Sequence, residues 1–162
     1  MKADIATPRL ATGKKMTGIQ YAALPYRLAR DGVEILLVTS RRTQRWIVPK
    51  GWPIEGLAPS ACAALEALEE AGVSGEIQKR PIGHYRYLKH SKKRPSIPCK
   101  VEVFALRVAQ QRKSWAEGDE RERRWCPAAE AAAAVDEVQL QKLILEFAAR
   151  VTRSNVGDPP GG

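Results

Sequence analysis

The stretch WIVPKGWPIEGLAPSACAALEALEEAGV, residues 46–73, predicts a strand, a loop and a helix in that order. Its alanine-rich second half, residues 59–71, has strong helix propensity. Pro59 suits the first helical turn, where no backbone N–H is needed, and Gly72 suits the C-terminal cap. We therefore expect a helix over residues 59–71, preceded by a short strand over residues 45–48.

Three glutamates share one face of this predicted helix. Glu66, Glu69 and Glu70 are related by i, i+3 and i+4, whereas Leu65 and Leu68 fall on another face, which we expect to pack on a sheet. Three like charges within one turn repel one another, and a bound divalent cation would replace that repulsion with attraction. The spacing predicts Mg²⁺ ligands and a general base for an attacking water, although a solvated acidic face would show the same spacing.

Basic segments border this acidic helix on both sides. No Lys or Arg occurs between Gly51 and Gln78, no acidic residue occurs from 35 to 54, and residues 79–100 are basic without a single Asp or Glu. Such an arrangement is typical of a site that binds a metal ion and phosphates together. The candidate substrate-binding residues are Arg42, Arg45, Lys50, Lys92 and Lys93.

The rest of the chain alternates strands and helices, which predicts one α/β domain. Strands are expected over residues 20–28 and 33–40 as a hairpin, and then over residues 83–88, 100–108 and 123–126. Apolar residues recur at helical spacing near the end and predict a helix that covers the sheet; they are Leu140, Leu143, Ile144, Phe147 and Val151. We divide the chain into a basic arm (1–16), a domain (17–153) and a disordered tail (154–162).

Composition narrows the class of protein. The chain of 162 residues is 44% hydrophobic and 28% charged, with a formal net charge of +9, which indicates a globular domain with a polyanionic partner. No apolar run is long enough to span a bilayer, and no signal peptide is recognisable. Three widely spaced cysteines predict neither disulfides nor a zinc site and favour the cytoplasm. Nucleic-acid binding is the least favoured function, because the basic block lacks regularly spaced aromatic residues.

From Gly51 to Val73 the sequence resembles the Nudix box, Gly-x5-Glu-x7-Arg-Glu-U-x-Glu-Glu-x-Gly-U, in which U is aliphatic. The matching positions are Gly51, Glu66, Glu69, Glu70, Gly72 and Val73. The flanking segments TSRRTQRWIVPKG and ERERRWCPAAEAAAAV resemble the diphosphoinositol-polyphosphate phosphohydrolase-like branch of this superfamily, so the resemblance covers roughly residues 17–150.

The resemblance implies a fold and an activity. The fold would be an α/β/α sandwich with a mixed central sheet. The activity would be Mg²⁺-dependent hydrolysis, with Mn²⁺ as the alternative ion, of a diphosphate linkage in a small, highly anionic substrate. Diadenosine polyphosphates and diphosphoinositol polyphosphates are the substrates that the resembled branch handles. The main-chain carbonyl of Gly51 would join Glu66, Glu69 and Glu70 as a metal ligand. The family also implies a further carboxylate from the loop before the last strand, here Glu120 or Glu122, although an ordinary surface charge in the run DERERR, residues 119–124, is the simpler interpretation of each.

Two positions depart from the box, because its first glutamate is Leu57 here and its arginine is Leu65. In the family these two residues commonly form a structural ion pair. We interpret the two leucines as one exchange, since a buried ion pair can be replaced by apolar side chains without loss of stability. The alternative function is a catalytically weakened Nudix-fold protein that binds such ligands without turnover.

Overall fold

The computed structural model describes residues 18–157, which form eight strands, three α-helices and one π-helical segment. The strands are β1 (Gly18–Ala29), β2 (Gly32–Thr39), β3 (Trp46–Ile47), β4 (Lys50–Gly51), β5 (Val73–Ile77), β6 (Gly83–Lys89), β7 (Ile97–Gln111) and β8 (Arg123–Pro127). The helices are α1 (Pro59–Glu66), α2 (Ala128–Ala134) and α3 (Val138–Gly157), and the π-helical segment Ala67–Ala71 directly continues α1.

The strands form a single mixed sheet. Its main path runs β3-β2-β1-β7-β5, while β4 pairs with β1, β6 with β7 and β8 with β2. The predicted hairpin is present as β1 and β2, and Ala29 pairs with Gly32 next to its turn. The only parallel pair among the described strands is β1 with β7, from Gly18–Cys99 to Tyr26–Arg107. The expected mixed central sheet is therefore confirmed.

Both faces of the sheet are covered by helices. On β1, Ala22 and Leu24 belong to one core, which includes the α3 residues predicted to cover the sheet. The intervening Ala23 belongs to a second core with residues of α1 and the π-helical segment. Because alternate residues of a strand point to opposite faces, this division gives the α/β/α sandwich predicted above.

The face of the glutamate helix that packs on the sheet differs from the prediction. Ala63, Ala67 and Ala71 are fully buried against the sheet, whereas Leu65 and Leu68 are only half-buried. Alanines every fourth residue let the helix axis approach the strands closely, and larger leucines would hold it away. The expectation that Leu65 and Leu68 form the packing face is therefore wrong.

Further differences concern the ends of elements. Helix α3 continues through Gly157, so residues 154–157 of the predicted disordered tail are helical. The predicted arm, residues 1–16, and residues 158–162 lie outside the described residues. Strand β5 was not predicted, because its sequence VSGEI contains a glycine and few apolar residues. Within the described part of the chain, no helix combines the length and the apolar character that crossing a membrane requires.

Candidate functional site

The carboxylate of Glu66 lies against the backbone of Gly51. Glu66 is the last residue of α1 and is only 1% exposed, and a Cβ added to Gly51 would overlap its carboxylate. A side chain at residue 51 would have to displace the buried Glu66 carboxylate, so glycine leaves room for that carboxylate against β4. The assignment of Gly51 and Glu66 as metal ligands stays a prediction.

Glu70 is the second buried carboxylate of the helix, at 4% exposed. Its Oε1 accepts a hydrogen bond from the backbone N–H of Lys50 at 3.2 Å. Its Oε2 lies 3.5 Å from Nη2 of Arg121, whose side chain is itself almost completely buried. Glu66 and Glu70 thus flank β4, one against Gly51 and the other bonded to Lys50.

Arg121 links Glu70 to two further groups. Its Nε donates to Oε1 of Glu117 at 2.9 Å, and its Nη1 donates to the carbonyl oxygen of Thr39 at 2.9 Å. Thr39 is the last residue of β2, so a fixed main-chain acceptor anchors the guanidinium. A single arginine consequently connects a helix glutamate, a loop glutamate and the end of a central strand.

The loop between β7 and β8 holds the π-helical segment through its main chain. Four consecutive carbonyl oxygens, from residue 69 to residue 72, each accept a hydrogen bond from this loop or from the start of β8. The four donors, in that order, are Glu117 N, Trp115 Nε1, Arg123 Nη1 and Arg112 N. These carbonyls would otherwise be the unsatisfied acceptors at a helix end, so the loop acts as an extended cap.

Gly72 ends the helix in the left-handed conformation, with φ = 68°, as predicted for a C-terminal cap. A Cβ at this position would lie 2.8 Å from Cβ of Trp115 and from Nη1 of Arg123. The Arg123 guanidinium stacks on the Trp115 ring at 3.8 Å from the ring centroid. Glycine is therefore required here both by the backbone conformation and by the loop packed against it.

The donor chemistry of this cluster fits a hard divalent cation. Carboxylate oxygens and a backbone carbonyl are the ligands that Mg²⁺ prefers, and they are present on Glu66, Glu69, Glu70 and Gly51. Among residues 18–157, however, no three His, Cys, Asp or Glu side chains converge closely enough to hold an ion as they stand. Glu66 is turned toward Gly51 and Glu70 toward Arg121, so these side chains would have to rearrange to hold an ion together.

The two basic segments meet beside this cluster. Nη1 of Arg42 lies 3.5 Å from the carbonyl oxygen of His90, in the loop that also carries the exposed residues Lys92 and Lys93. Arg41 faces the other way, with Nη1 3.3 Å from Glu120 and 3.9 Å from Glu117. Residues 41–43 form a turn rather than the expected continuation of a strand, so both arginines can border the site.

Arg45 and Lys50 lie on the α3 side of the sheet. Nη1 of Arg45 pairs with Asp136 at 2.9 Å and with Glu137 at 3.3 Å, so this arginine is part of an ion-pair cluster. Nζ of Lys50 lies over the Tyr87 ring, 5.0 Å from its centroid. Desolvation lowers the pKa of Lys50 to about 8, although the nearby Glu70 opposes the shift.

Several residues of the site were missed by the sequence analysis. The loop carboxylate nearest the cluster is Glu117, whereas the candidates Glu120 and Glu122 are exposed. Arg121 and Trp115 were not singled out for this site, and neither was Trp52, which has Nζ of Lys89 5.6 Å from its ring centroid. Apart from the i, i+4 pair of Glu117 with Arg121, these contacts join segments distant in sequence, so local spacing does not indicate them.

The two departures from the box lie in a more open region than expected. Leu57 is 39% exposed, in the loop before α1, and Leu65 is half-buried. The interpretation of these residues as a buried apolar replacement for an ion pair is therefore wrong for Leu57. Position 57 can carry a polar side chain without burying it.

Comparison with known proteins agrees with the box. A family model described as the NUDIX domain matches residues 20–147. Nudix hydrolase 13, mitochondrial, of Arabidopsis thaliana is 30% identical over 141 residues, which are 76% of this chain and 70% of the relative. Diphosphoinositol polyphosphate phosphohydrolase 3-beta of Bos taurus is 31% identical over 106 residues, and the match spans 64% of this chain but only 60% of that relative.

A solved structure shows the same fold at lower identity. The C. elegans Ap4A hydrolase superposes with a TM-score of 0.59 and 20% identity, covering 84% of this chain and 99% of that one. Its likeness supports the layered architecture described above. The family model covers most of the chain, and the buried glutamates Glu66 and Glu70 are residues of the box. The chain therefore belongs to the Nudix hydrolase family.

Proposed function

We propose that the protein hydrolyses a diphosphate linkage in a small, highly anionic molecule, with Mg²⁺ as the required ion and Mn²⁺ as the alternative. The observation that carries this proposal is the burial of two box glutamates beside β4: the Glu66 carboxylate lies against Gly51, and the Glu70 carboxylate accepts a hydrogen bond from the Lys50 N–H. Burying carboxylates is costly, and a site for a cation gives a reason to retain them.

The roles of the residues follow from their positions. Glu66, Glu69 and Glu70, with the Gly51 carbonyl, would hold the cation, and either Glu66 or Glu70 would take the proton of the attacking water. The bound ion would neutralise phosphate oxygens and lower the pKa of water. Water would attack one phosphorus atom while the other phosphate leaves with the bridging oxygen.

Charge around the cluster supports an anionic substrate. Arg42 lies where the loop of residues 40–45 meets the loop that carries Lys92 and Lys93. The Lys50 ammonium lies over Tyr87 and is close enough to Glu70 for that carboxylate to raise its pKa against the effect of burial. These cations would bind phosphate groups that the metal does not reach. Arg45 would contribute less directly, because Asp136 and Glu137 already share its charge.

The names of the relatives suggest two substrate classes, dinucleoside polyphosphates and diphosphoinositol polyphosphates. The test is release of phosphate or nucleotide from both classes, from nucleotide sugars and from nucleoside triphosphates, with and without MgCl₂. Glu70→Gln and Glu69→Gln are compared with Glu76→Gln, which changes an exposed glutamate on β5. We expect turnover only with MgCl₂ and a loss of roughly a hundredfold or more in Glu70→Gln.

Two results would contradict the proposal. One is turnover that persists in EDTA, and the other is equal activity in Glu70→Gln and Glu76→Gln. Absence of turnover across the whole panel, with retained binding of the same compounds, would instead establish the alternative function of a Nudix-fold binding protein. Leu57 and Leu65 would then be the first positions to restore.

A further inference from the structure

We propose that Arg121 is the positioning residue of the glutamate cluster, a built-in cation that holds Glu70 and Glu117 and competes electrostatically with the divalent ion for them. The inference rests on the proposed function, because it assumes that Glu70 is a metal ligand. It concerns a residue outside the box, in the loop before β8.

The geometry of Arg121 is that of an ordered connector rather than a surface ion pair. Its side chain is 7% exposed, and it contacts Oε2 of Glu70 at 3.5 Å and Oε1 of Glu117 at 2.9 Å. Its third contact, to the carbonyl oxygen of Thr39 at 2.9 Å, fixes the plane of the guanidinium. Arginine presents its donors as a rigid fork, so three acceptors in three directions are matched by one side chain.

The helix that bears the glutamates carries no cation of its own. No Lys or Arg occurs between Gly51 and Gln78, so a cation beside Glu70 has to come from another segment. Arg121 supplies a guanidinium from a segment 51 residues beyond Glu70 in the sequence. The positive charge beside Glu70 thus comes from a distant segment of the chain and not from the glutamate helix itself.

A positive charge in this place has two opposite effects. It offsets repulsion between Glu70 and Glu117 when no divalent ion is bound, which stabilises the fold. It also repels an incoming cation and occupies one oxygen of Glu70, which weakens metal binding. Removing it should therefore destabilise the metal-free protein, tighten divalent-ion binding and leave Glu70 less well oriented for the reaction.

The experiment compares wild type with Arg121→Gln, Arg121→Lys and a control, Arg124→Gln. Arg124 is an exposed arginine on β8 whose Nη2 lies 4.0 Å from Oε2 of Glu130. Three quantities are measured: the thermal midpoint in EDTA and in saturating MgCl₂, the dissociation constant for Mn²⁺ by electron paramagnetic resonance, and kcat and KM. The first two do not depend on turnover.

For Arg121→Gln we expect a lower midpoint in EDTA, with a Mg²⁺-induced rise larger than that of wild type. The Mn²⁺ dissociation constant should fall about threefold or more, since a neighbouring positive charge is gone. By contrast kcat should fall about tenfold with little change in KM. Arg121→Lys keeps the charge and should bind Mn²⁺ like wild type, with kcat between the two.

A merely structural arginine would lower the midpoint equally in EDTA and MgCl₂. That result, or unchanged or weaker Mn²⁺ binding in Arg121→Gln, would overturn the inference while leaving the proposed function intact. If wild type itself shows neither a Mg²⁺-induced rise nor turnover, the proposed function fails first and the inference fails with it. The two failures are therefore distinguishable by the wild-type protein alone.

Discussion

Helix α1 contacts the rest of the protein mainly through small apolar side chains, whereas the π-helical segment that continues it is bound through its main chain. Ala58, the N-cap residue before α1, provides no side-chain hydrogen bond to the helix end, and Ala63 packs on the sheet. In the π-helical segment, the loop before β8 bonds successive carbonyls and places Arg121 on Glu70.

The two halves of the helix also differ in how closely their sequences match the Nudix box. Around Leu65 the helix packs on the sheet through small apolar side chains such as Ala63, and Glu66 at the end of α1 lies against β4. Where Glu69, Glu70 and Gly72 match the box, a distant segment is bound tightly to the helix. A π-helical turn is common at functional sites, and here it places two glutamates next to the residues that hold it. The distant loop thus holds the segment that bears Glu69 and Glu70, whereas Glu66 lies against β4.

The largest effect on stability is expected at the junction itself, in Gly72→Ala. A left-handed φ and the contact with Trp115 and Arg123 together should lower the free energy of unfolding by about 2–3 kcal/mol. Urea denaturation measures this. The control is Gly56→Ala, which shares a positive φ of 81° but has no atom within 4 Å of the added Cβ. If both variants lose the same amount, packing of the loop adds nothing.

A smaller effect is expected for Trp115→Phe, which removes the hydrogen bond to the Glu70 carbonyl but keeps an aromatic ring under Arg123. We expect a loss of about 1 kcal/mol, since a half-buried carbonyl loses its donor. Trp125→Phe is a matched control, because Trp125 also carries an arginine on its ring and donates to an exposed side chain, Gln111. A greater loss in Trp125→Phe would contradict the importance of the loop contact.

The smallest effect is expected in the first half of the helix, for the double variant Leu57→Glu with Leu65→Arg. Because residue 57 is exposed and residue 65 is half-buried, restoring the charged pair should change the free energy of unfolding by no more than about 0.5 kcal/mol. Chemical denaturation of the double variant and of Leu65→Arg alone tests this. A loss above about 1.5 kcal/mol would show that Leu65 is closely packed.

Patterns along the chain predicted most of the fold. Gly72 marked the end of the helix because a left-handed residue is needed there, and the apolar spacing from Leu140 to Phe147 indicated the covering face of α3. The packing face of α1 was predicted wrongly because leucine is more apolar than alanine. In this helix closeness to the sheet matters more than apolar surface, so Ala63 and Ala67 face inward.

The sequence predicted only part of the site. The spacing of Glu66 and Glu70 follows from helix geometry, and the structure places both in buried positions beside β4. Arg121 could not be found in this way, since its contact with Glu70 depends on how a loop crosses the helix end. The charged run of residues 119–124 was expected to be ordinary surface charge, and the side chain of Arg121 within it is buried.

The lowered pKa of Lys50 gives the protein a selective chemical handle. At pH 8 about half of the Lys50 side chains carry a neutral amine, whereas an ordinary lysine with a pKa of 10.5 is neutral in only about 0.3% of molecules. Acylating reagents attack only the neutral form. A small acylating reagent that reaches the amine beside Tyr87 should therefore label Lys50 at pH 8 and far more slowly at pH 6, where the amine is protonated.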